Sequence, residues 1–329
     1  MEKYTTNNAI NALLNFLQEQ SARQVVVLTD SNLDALYPRY LDALAQHFSV
    51  EKIVVPAGER HKSIEQATAI WQQLLEKQYD KNLVIVNFGG GMVCDLGGFV
   101  AATYKRGVRC VNFPTTLLAM IDAAIGGKTA VNLSHVKNCV GLIRQPDFIV
   151  PADVELLKTL PQSELLSGFG ELVKYALIAS RPLFDELLQI DKLSAECLRP
   201  EWIDTCIEYK NKIVAMDPED IKERHVLNFG HTYGHAIESW RATQGKPIPH
   251  GIAVAIGMVY ECQESMEQEI LSKNDFYQIR QLIQRFYDIP ALTDSFLNQL
   301  KSFILQDKKI KDGQIRFPLL KGIGMIELD

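Results

Sequence analysis

The chain is expected to be an α/β protein in two parts. Residues 1–150 read as a parallel sheet flanked by helices, and residues 151–329 as an all-helical part. Two observations predict this. In the first half, short apolar runs alternate with helical stretches, and that alternation calls for parallel strands joined by helical crossovers. Beyond 151, apolar residues recur at intervals of three and four, as in Leu156-Leu157, Leu160, Leu165-Leu166, Leu172, Val173, Ala176 and Leu177, which is the period of a helix face. At 329 residues the chain has room for a large core and for two domains.

Taken in order, residues 10–20 read as a helix and Gln24–Thr29 as a buried strand ending at Asp30-Ser31-Asn32. Polar ends of apolar strands are where α/β proteins place ligand contacts. A helical stretch follows, then the strand Lys52–Val55, the turn Pro56-Ala57-Gly58-Glu59, a helix over 63–78 and the strand Asn82–Asn87. That strand runs into Gly89-Gly90-Gly91-Met92-Val93-Cys94-Asp95-Leu96-Gly97-Gly98. A glycine-rich turn between strand and helix lets backbone N–H groups approach a pyrophosphate, and it also serves tight helix–strand packing. The pattern is not GxGxxG, and no acidic strand end follows at the usual distance.

The next strand, Val108–Phe113, ends at Pro114-Thr115-Thr116. Paired threonines there suit hydroxyl contacts to a nucleotide, and helix capping explains one of them equally well. Gly126-Gly127-Lys128-Thr129 resembles a phosphate-binding loop of ATPases. The first glycine that loop needs is missing at Met120–Ile121, which excludes the ATPase reading. Phe148–Val150 reads as a last strand. Further helices are expected over 182–190, 201–215, 229–243, 251–268, 275–286 and 294–305.

Hydrophobic content of 47% with 22% charged residues is ordinary globular composition, and a net charge of −6 without a long basic block speaks against nucleic-acid binding. The six cysteines form no CxxC pair, which suits reduced thiols in the cytoplasm. The first residues lack the pattern of a signal peptide, and no run of about eighteen apolar residues predicts a membrane span.

The chemistry is concentrated in Asn228-Phe229-Gly230-His231-Thr232-Tyr233-Gly234-His235-Ala236-Ile237-Glu238. His231 and His235 lie on one helical face, one turn apart. Gly230 and Gly234 repeat at the same interval, so another group can come close. His250 opens the apolar run Gly251–Met258, and Glu171 sits three residues before Lys174. One carboxylate and two neutral imidazoles, with a position open for substrate or water, make a catalytic zinc shell. HExxH is absent. The metal candidates fall in the helical half and the glycine-rich loops in the α/β half, so the active site is expected in the cleft between them.

With these residues assembled, the chain resembles the 3-dehydroquinate synthase family, within the sugar-phosphate cyclases. The most specific blocks are Pro56–Lys62, Gly89–Gly98, Ala102–Gly107, Pro114–Lys128, Glu171–Tyr175 and Asn228–His235 with His250-Gly251. The resemblance implies a Rossmann-like, parallel-sheet NAD domain at 1–150 and an all-helical metal and substrate domain at 151–329. The implied enzyme is a phosphate-eliminating carbon–oxygen lyase of the shikimate pathway, which leads to chorismate and the aromatic amino acids. It turns 3-deoxy-D-arabino-heptulosonate 7-phosphate into 3-dehydroquinate by transient oxidation with NAD, phosphate elimination, reduction and intramolecular aldol closure. The implied cofactors are NAD and Zn2+ or Co2+.

The same resemblance carries roles to individual residues. Glu171, His231 and His250 are the implied metal ligands; His235, Lys174 and Asp220 are the implied catalytic residues. Substrate contacts fall on Arg106, Asp122, Lys128, Asn138, Lys174, Lys212, Arg224, Asn228, His231, His250 and one of Lys308 and Lys309. NAD contacts fall on Asp30, Asn32, Glu59, Lys62, Gly90, Gly91, Met92, Asp95, Thr115, Thr116, Lys128, Lys137 and Thr159. Arg106 matches an arginine that reaches the phosphate in the neighbouring subunit, which implies a homodimer.

The chain also departs from the pattern. Many members have His-Gly-Glu where His250-Gly251-Ile252 stands, so support for the metal ligands must come from elsewhere. Asp220 replaces a glutamate, and Cys94 and Met120 replace a glycine and a glutamine. Another sugar-phosphate cyclase and a metal-dependent polyol dehydrogenase remain alternatives. Lys212, Arg224, Asn228 and His235 favour the heptulosonate over the first, and Glu171 with Lys128 counts against the second.

Overall fold

Three consecutive valines, Val25-Val26-Val27, lie in an interior strand of the sheet with almost no exposure. They belong to β1 (Gln24–Asp30), which pairs in parallel with β2 (Ser49–Val55) and β3 (Val84–Gly89). β4 (Arg109–Pro114) and the short β7 (Phe148–Ile149) complete a five-stranded sheet in the order β2-β1-β3-β4-β7. Strands covered on both faces read as continuous apolar runs, which is why β1 and β3 are legible in the sequence. The structure, a computed structural model, describes residues 4–134, 136–307 and 318–327.

The sheet's helices are α1 (Thr6–Glu19), α2 (Ser31–Leu36), α3 (Pro38–Ala45), α4 (Ile64–Glu76) and α5 (Gly91–Thr103). Leu28, Ile53 and Ile85 of the sheet pack with Ile70 and Leu74 of α4 and Leu96, Phe99 and Val100 of α5. Each such side chain contributes about 1.5–3 kcal/mol by leaving water. α5 is buried along most of its length, so its sequence has no polar face.

The sequence reading missed one element of this half. β5 (Lys128–Leu133) and β6 (Val136–Ile143) form an antiparallel hairpin. Only Thr129 and Val131 of it are fully buried, and most of β6 is exposed, so the apolar signal is weak.

The chain divides into two compact units between Leu160 and Pro161, beyond the boundary expected at 150. Residues 151–160 pack with the first unit: Asp153, fully buried, accepts a hydrogen bond from the Tyr40 hydroxyl, and the hydroxyls of Tyr37 and Thr159 are hydrogen-bonded.

The second unit contains α6 (Gln162–Ala179), α7 (Arg181–Leu187), α8 (Pro200–Met216), α9 (His231–Thr243), α10 (His250–Glu267), α11 (Lys273–Phe286) and α12 (Asp294–Asp307). It is mostly rather than wholly helical. β8 (Leu319–Gly322) and β9 (Met325–Glu327) form a hairpin whose Gly324 N–H donates to the Leu177 carbonyl at the end of α6. Strands this short carry too few residues to show a period of two. All six cysteines are free thiols, and among the described residues no helix is long and apolar enough to cross a membrane.

Candidate active site

Backbone-to-backbone helix packing creates the metal candidate. A Cβ on Gly251, at the start of α10, would lie 1.8 Å from the Ser167 carbonyl oxygen of α6. A Cβ on Gly257 would lie 2.1 Å from the Gly230 carbonyl oxygen, just before α9. No side chain fits at either contact, so glycine alone lets α6, α9 and α10 come this close. The group that approaches the small face of Gly230 and Gly234 is thus α10 itself.

This packing gathers the three residues expected to hold the metal, and His235, expected as a catalytic residue, with them. The Oε1 atom of Glu171 lies 3.6 Å from His231 Nε2 and 3.5 Å from His250 Nε2. Its other oxygen is 2.5 Å from the Lys174 ammonium, and both residues are buried. One nitrogen each of His231, His235 and His250 lies within 4.8 Å of the others. His235 therefore stands with the ligand candidates as well as one helical turn from His231.

The outer ring nitrogens are already engaged. His231 Nδ1 is 3.0 Å from the Phe229 carbonyl, which can only accept, so Nδ1 carries the hydrogen. Burial holds the His231 pKa well below its ordinary value, which favours the neutral ring that a metal ligand needs. Its Nε2 lone pair then faces a carboxylate oxygen in a dry setting. A cation between these two lone pairs would satisfy both. His250 Nδ1 lies 3.2 Å from the Glu238 carboxylate. Burial opposes charge on this ring, but Glu171 and Glu238 outweigh it and push the pKa up to about 10. The set fits a zinc-like ion held by one carboxylate and two imidazoles.

Glu238 was not identified from the sequence as a functional residue. Its spacing was the available signal, since it stands on α9 three residues after His235 and shares that face. It supplies the acceptor that Ile252 cannot.

Arg224 is buried, and a guanidinium N–H donates to the Pro218 carbonyl at 3.4 Å. Asp220 has a left-handed backbone, with φ of 58°, in the loop cradled by Asp217. Asp217 accepts backbone N–H bonds from Ile221, Lys222 and Arg224. Asn228 is half-buried in the turn before α9. On α8 the structure exposes Lys212 and buries Lys210, two residues earlier. Lys308 and Lys309 lie outside the described residues.

In the first unit, Asp30, Asn32, Gly90, Gly91, Thr115 and Thr116 sit at or just beyond the C-terminal ends of β1, β3 and β4, whereas Lys128 and Lys137 lie in the β5–β6 hairpin. β3 turns through Gly89-Gly90 into α5, whose N-cap Gly90 offers no side-chain cap. The first amides of α5 are thus open to an anion, and a Cβ on Gly90 would meet Thr116 Cγ2 at 2.9 Å. Met92 and Asp95 follow on α5. Thr116 Oγ1 accepts from Ala119 N at 3.1 Å, so it serves as a cap. Thr115 Oγ1 is buried with no hydrogen-bond partner among the described residues, the condition of a hydroxyl awaiting a ligand. These features fit a dinucleotide's pyrophosphate.

Glu59, Lys62 and Asp95 form one ion cluster, with the buried Lys62 ammonium 3.0 Å from Glu59 and 2.9 Å from Asp95. Burial works against its charge, but Asp95 and Glu59 outweigh it and the pKa rises. Asn132 bonds both Glu59 and the Asn138 N–H. The Asp30 side chain caps α2 through Asn32 and Leu33 N–H. Arg106, Lys128 and Lys137 are exposed, and Asp122 is half-buried in a π-helical turn, Ala119–Ala123. Thr159 is engaged with Tyr37.

Comparisons with known proteins identify the family. The chain is 40% identical over 315 residues to the 3-dehydroquinate synthase of Thermoanaerobacter pseudethanolicus, covering 92% of this chain and 85% of that one. It is 36% identical over 326 residues to the enzyme of the same name from Streptococcus pyogenes, covering 98% and 90%. Among solved structures, a 2-deoxy-scyllo-inosose synthase with carbaglucose-6-phosphate, NAD+ and Co2+ matches with a TM-score of 0.85 at 25% identity, covering 97% of this chain and 89% of that one. A 2-epi-5-epi-valiolone synthase from Streptomyces hygroscopicus, with NAD+ and Zn2+, shares the fold with a TM-score of 0.82 at 23% identity, covering 94% and 87%. The family models for the 3-dehydroquinate synthase N-terminal and C-terminal regions match residues 52–167 and 168–310. On these matches, the chain belongs to the 3-dehydroquinate synthase family.

Proposed function

We propose that this chain converts 3-deoxy-D-arabino-heptulosonate 7-phosphate to 3-dehydroquinate and phosphate, as an NAD- and divalent-metal-dependent carbon–oxygen lyase. Family membership supports the reaction. The single observation that carries the site is one Glu171 oxygen 3.5–3.6 Å from the Nε2 atoms of His231 and His250. When bound, NAD supplies a reversible hydride acceptor and the metal a Lewis acid for a developing alkoxide.

The chain's residues do the rest. Glu171, His231 and His250 hold the metal, and His235 takes the proton from the substrate hydroxyl. Lys174 offsets the charge on Glu171 and offers its ammonium to substrate oxygens, and Asp220 relays a proton. Arg224, Asn228 and Lys212 bind the substrate's anionic groups. Asp122, Lys128, Asn138 and Lys308 complete the set. Asp30, Asn32, Glu59, Lys62, Gly90, Gly91, Met92, Asp95, Thr115, Thr116, Lys128, Lys137 and Thr159 make the NAD contacts. The enzyme works in the cytoplasm as a homodimer, Arg106 serving the partner's phosphate.

The likeness to 2-deoxy-scyllo-inosose synthase supports a second reading, a sister cyclase acting on another sugar phosphate. Phosphate release with NAD+ and zinc separates them. Release from the heptulosonate 7-phosphate that stops with chelator, returns with zinc and leaves no net NADH supports the first reading. Release from sedoheptulose 7-phosphate or glucose 6-phosphate alone would transfer the chain to the second.

A further inference from the structure

We infer that Glu261, a carboxylate on α10, is a positioning residue for His231, clamping the backbone amides on either side of it. The inference rests on the reading of Glu171, His231 and His250 as a metal site. Glu261 has no solvent exposure. Its Oε2 accepts from the Gly230 N–H at 2.7 Å and its Oε1 from the Thr232 N–H at 3.0 Å. Gly230 is the left-handed N-cap of α9, and His231 is the helix's first residue, so the two bonded amides bracket His231.

The arrangement answers a need of the local sequence. The first amides of a helix have no partner within it, and a glycine N-cap brings no side chain to satisfy them. Glu261 supplies that cap from a different helix, at the positive end of the α9 dipole. It reaches because the Gly230 carbonyl packs directly on Gly257, one turn before Glu261. A buried carboxylate is costly unless its oxygens are satisfied, and two charge-assisted N–H bonds go far toward that. The bidentate grip fixes the rotation of the first turn of α9. With the Phe229 carbonyl on Nδ1, it sets where His231 Nε2 points.

Glu261→Gln keeps the shape and one acceptor oxygen but turns an NH2 group toward one of the two amides. Zinc affinity of the metal-free protein, read by competition with a chromophoric chelator, should weaken about 10–100-fold. The visible absorption of the Co2+ form should change with it. Tyr260→Phe is the control. It removes a hydroxyl bond to the Pro290 carbonyl from the same helix and should leave zinc affinity unchanged. Should Glu261→Gln fail to fold, amide hydrogen exchange of the metal-free wild type decides instead, since the clamp requires protected Gly230 and Thr232 amides before metal is added. A folded Glu261→Gln protein that binds zinc as the wild type does, or amides that become protected only with zinc, would overturn the clamp alone. Wild type that binds no zinc would overturn the metal reading and the clamp together.

Discussion

Glu238 accepts a hydrogen bond from His250 Nδ1 at 3.2 Å, reaching from α9 to the first residue of α10. Ile252 has no polar side-chain atom to offer and packs beside the apolar cluster of Tyr233, Ile237, Ile256 and Leu300, so Glu238 is the carboxylate behind His250. A carboxylate behind a ligating imidazole fixes its tautomer and makes it a better donor.

Glu238→Ala should therefore weaken zinc binding about 10–100-fold. Chelator competition measures it, and affinity equal to wild type would remove Glu238 from the site.

Lys174 and Glu171 form a buried ion pair at 2.5 Å. Removing one partner leaves the other charge buried, at a cost of about 3–5 kcal/mol. Lys174→Met should lower the stability of the metal-free protein by that order in urea unfolding. Added zinc should recover part of the loss, because a cation again faces Glu171. A variant as stable as wild type would mean that Glu171 takes up a proton when Lys174 is lost.

The Ile221 N–H first, then those of Lys222 and Arg224, hold the Asp217 carboxyl down at about 2, below its ordinary 3.8. A depressed carboxylate stabilises the fold above its unfolded pKa and loses that contribution as pH falls through the folded one. Asp217→Asn should thus be less stable than wild type at neutral pH, and the gap should close between about pH 4 and 2. Thermal unfolding across that range checks it. A pH-independent gap would assign the effect to shape rather than charge.

Thr115 carries a buried hydroxyl with no hydrogen-bond partner among the described residues. Thr115→Val keeps the shape and drops the hydroxyl, so the cofactor-free protein should be as stable as wild type or more so. NAD+ affinity, followed by titration calorimetry, should fall about tenfold, the equivalent of about 1.4 kcal/mol. Loss of stability with unchanged NAD+ affinity would make the hydroxyl structural.

Much of this protein is legible in its sequence because the physics is local. The Val25–Val27 run can only be a strand covered on both faces, and helix geometry alone sets His231 and His235 one turn apart. The open amides at the start of α5 follow from a glycine N-cap. The hairpins at Lys128–Ile143 and Leu319–Glu327 escaped notice because their strands are short or mostly exposed. What only the tertiary structure decided is which distant residues share a volume. Gly251 against Ser167, and Gly257 against Gly230, bring three helices to backbone contact. That contact delivers Glu171 to two imidazoles, Glu238 to His250 and Glu261 to the start of α9. These pairs are far apart in sequence, and no periodicity encodes them; close packing selects them, because a Cβ at either glycine would force the helices apart.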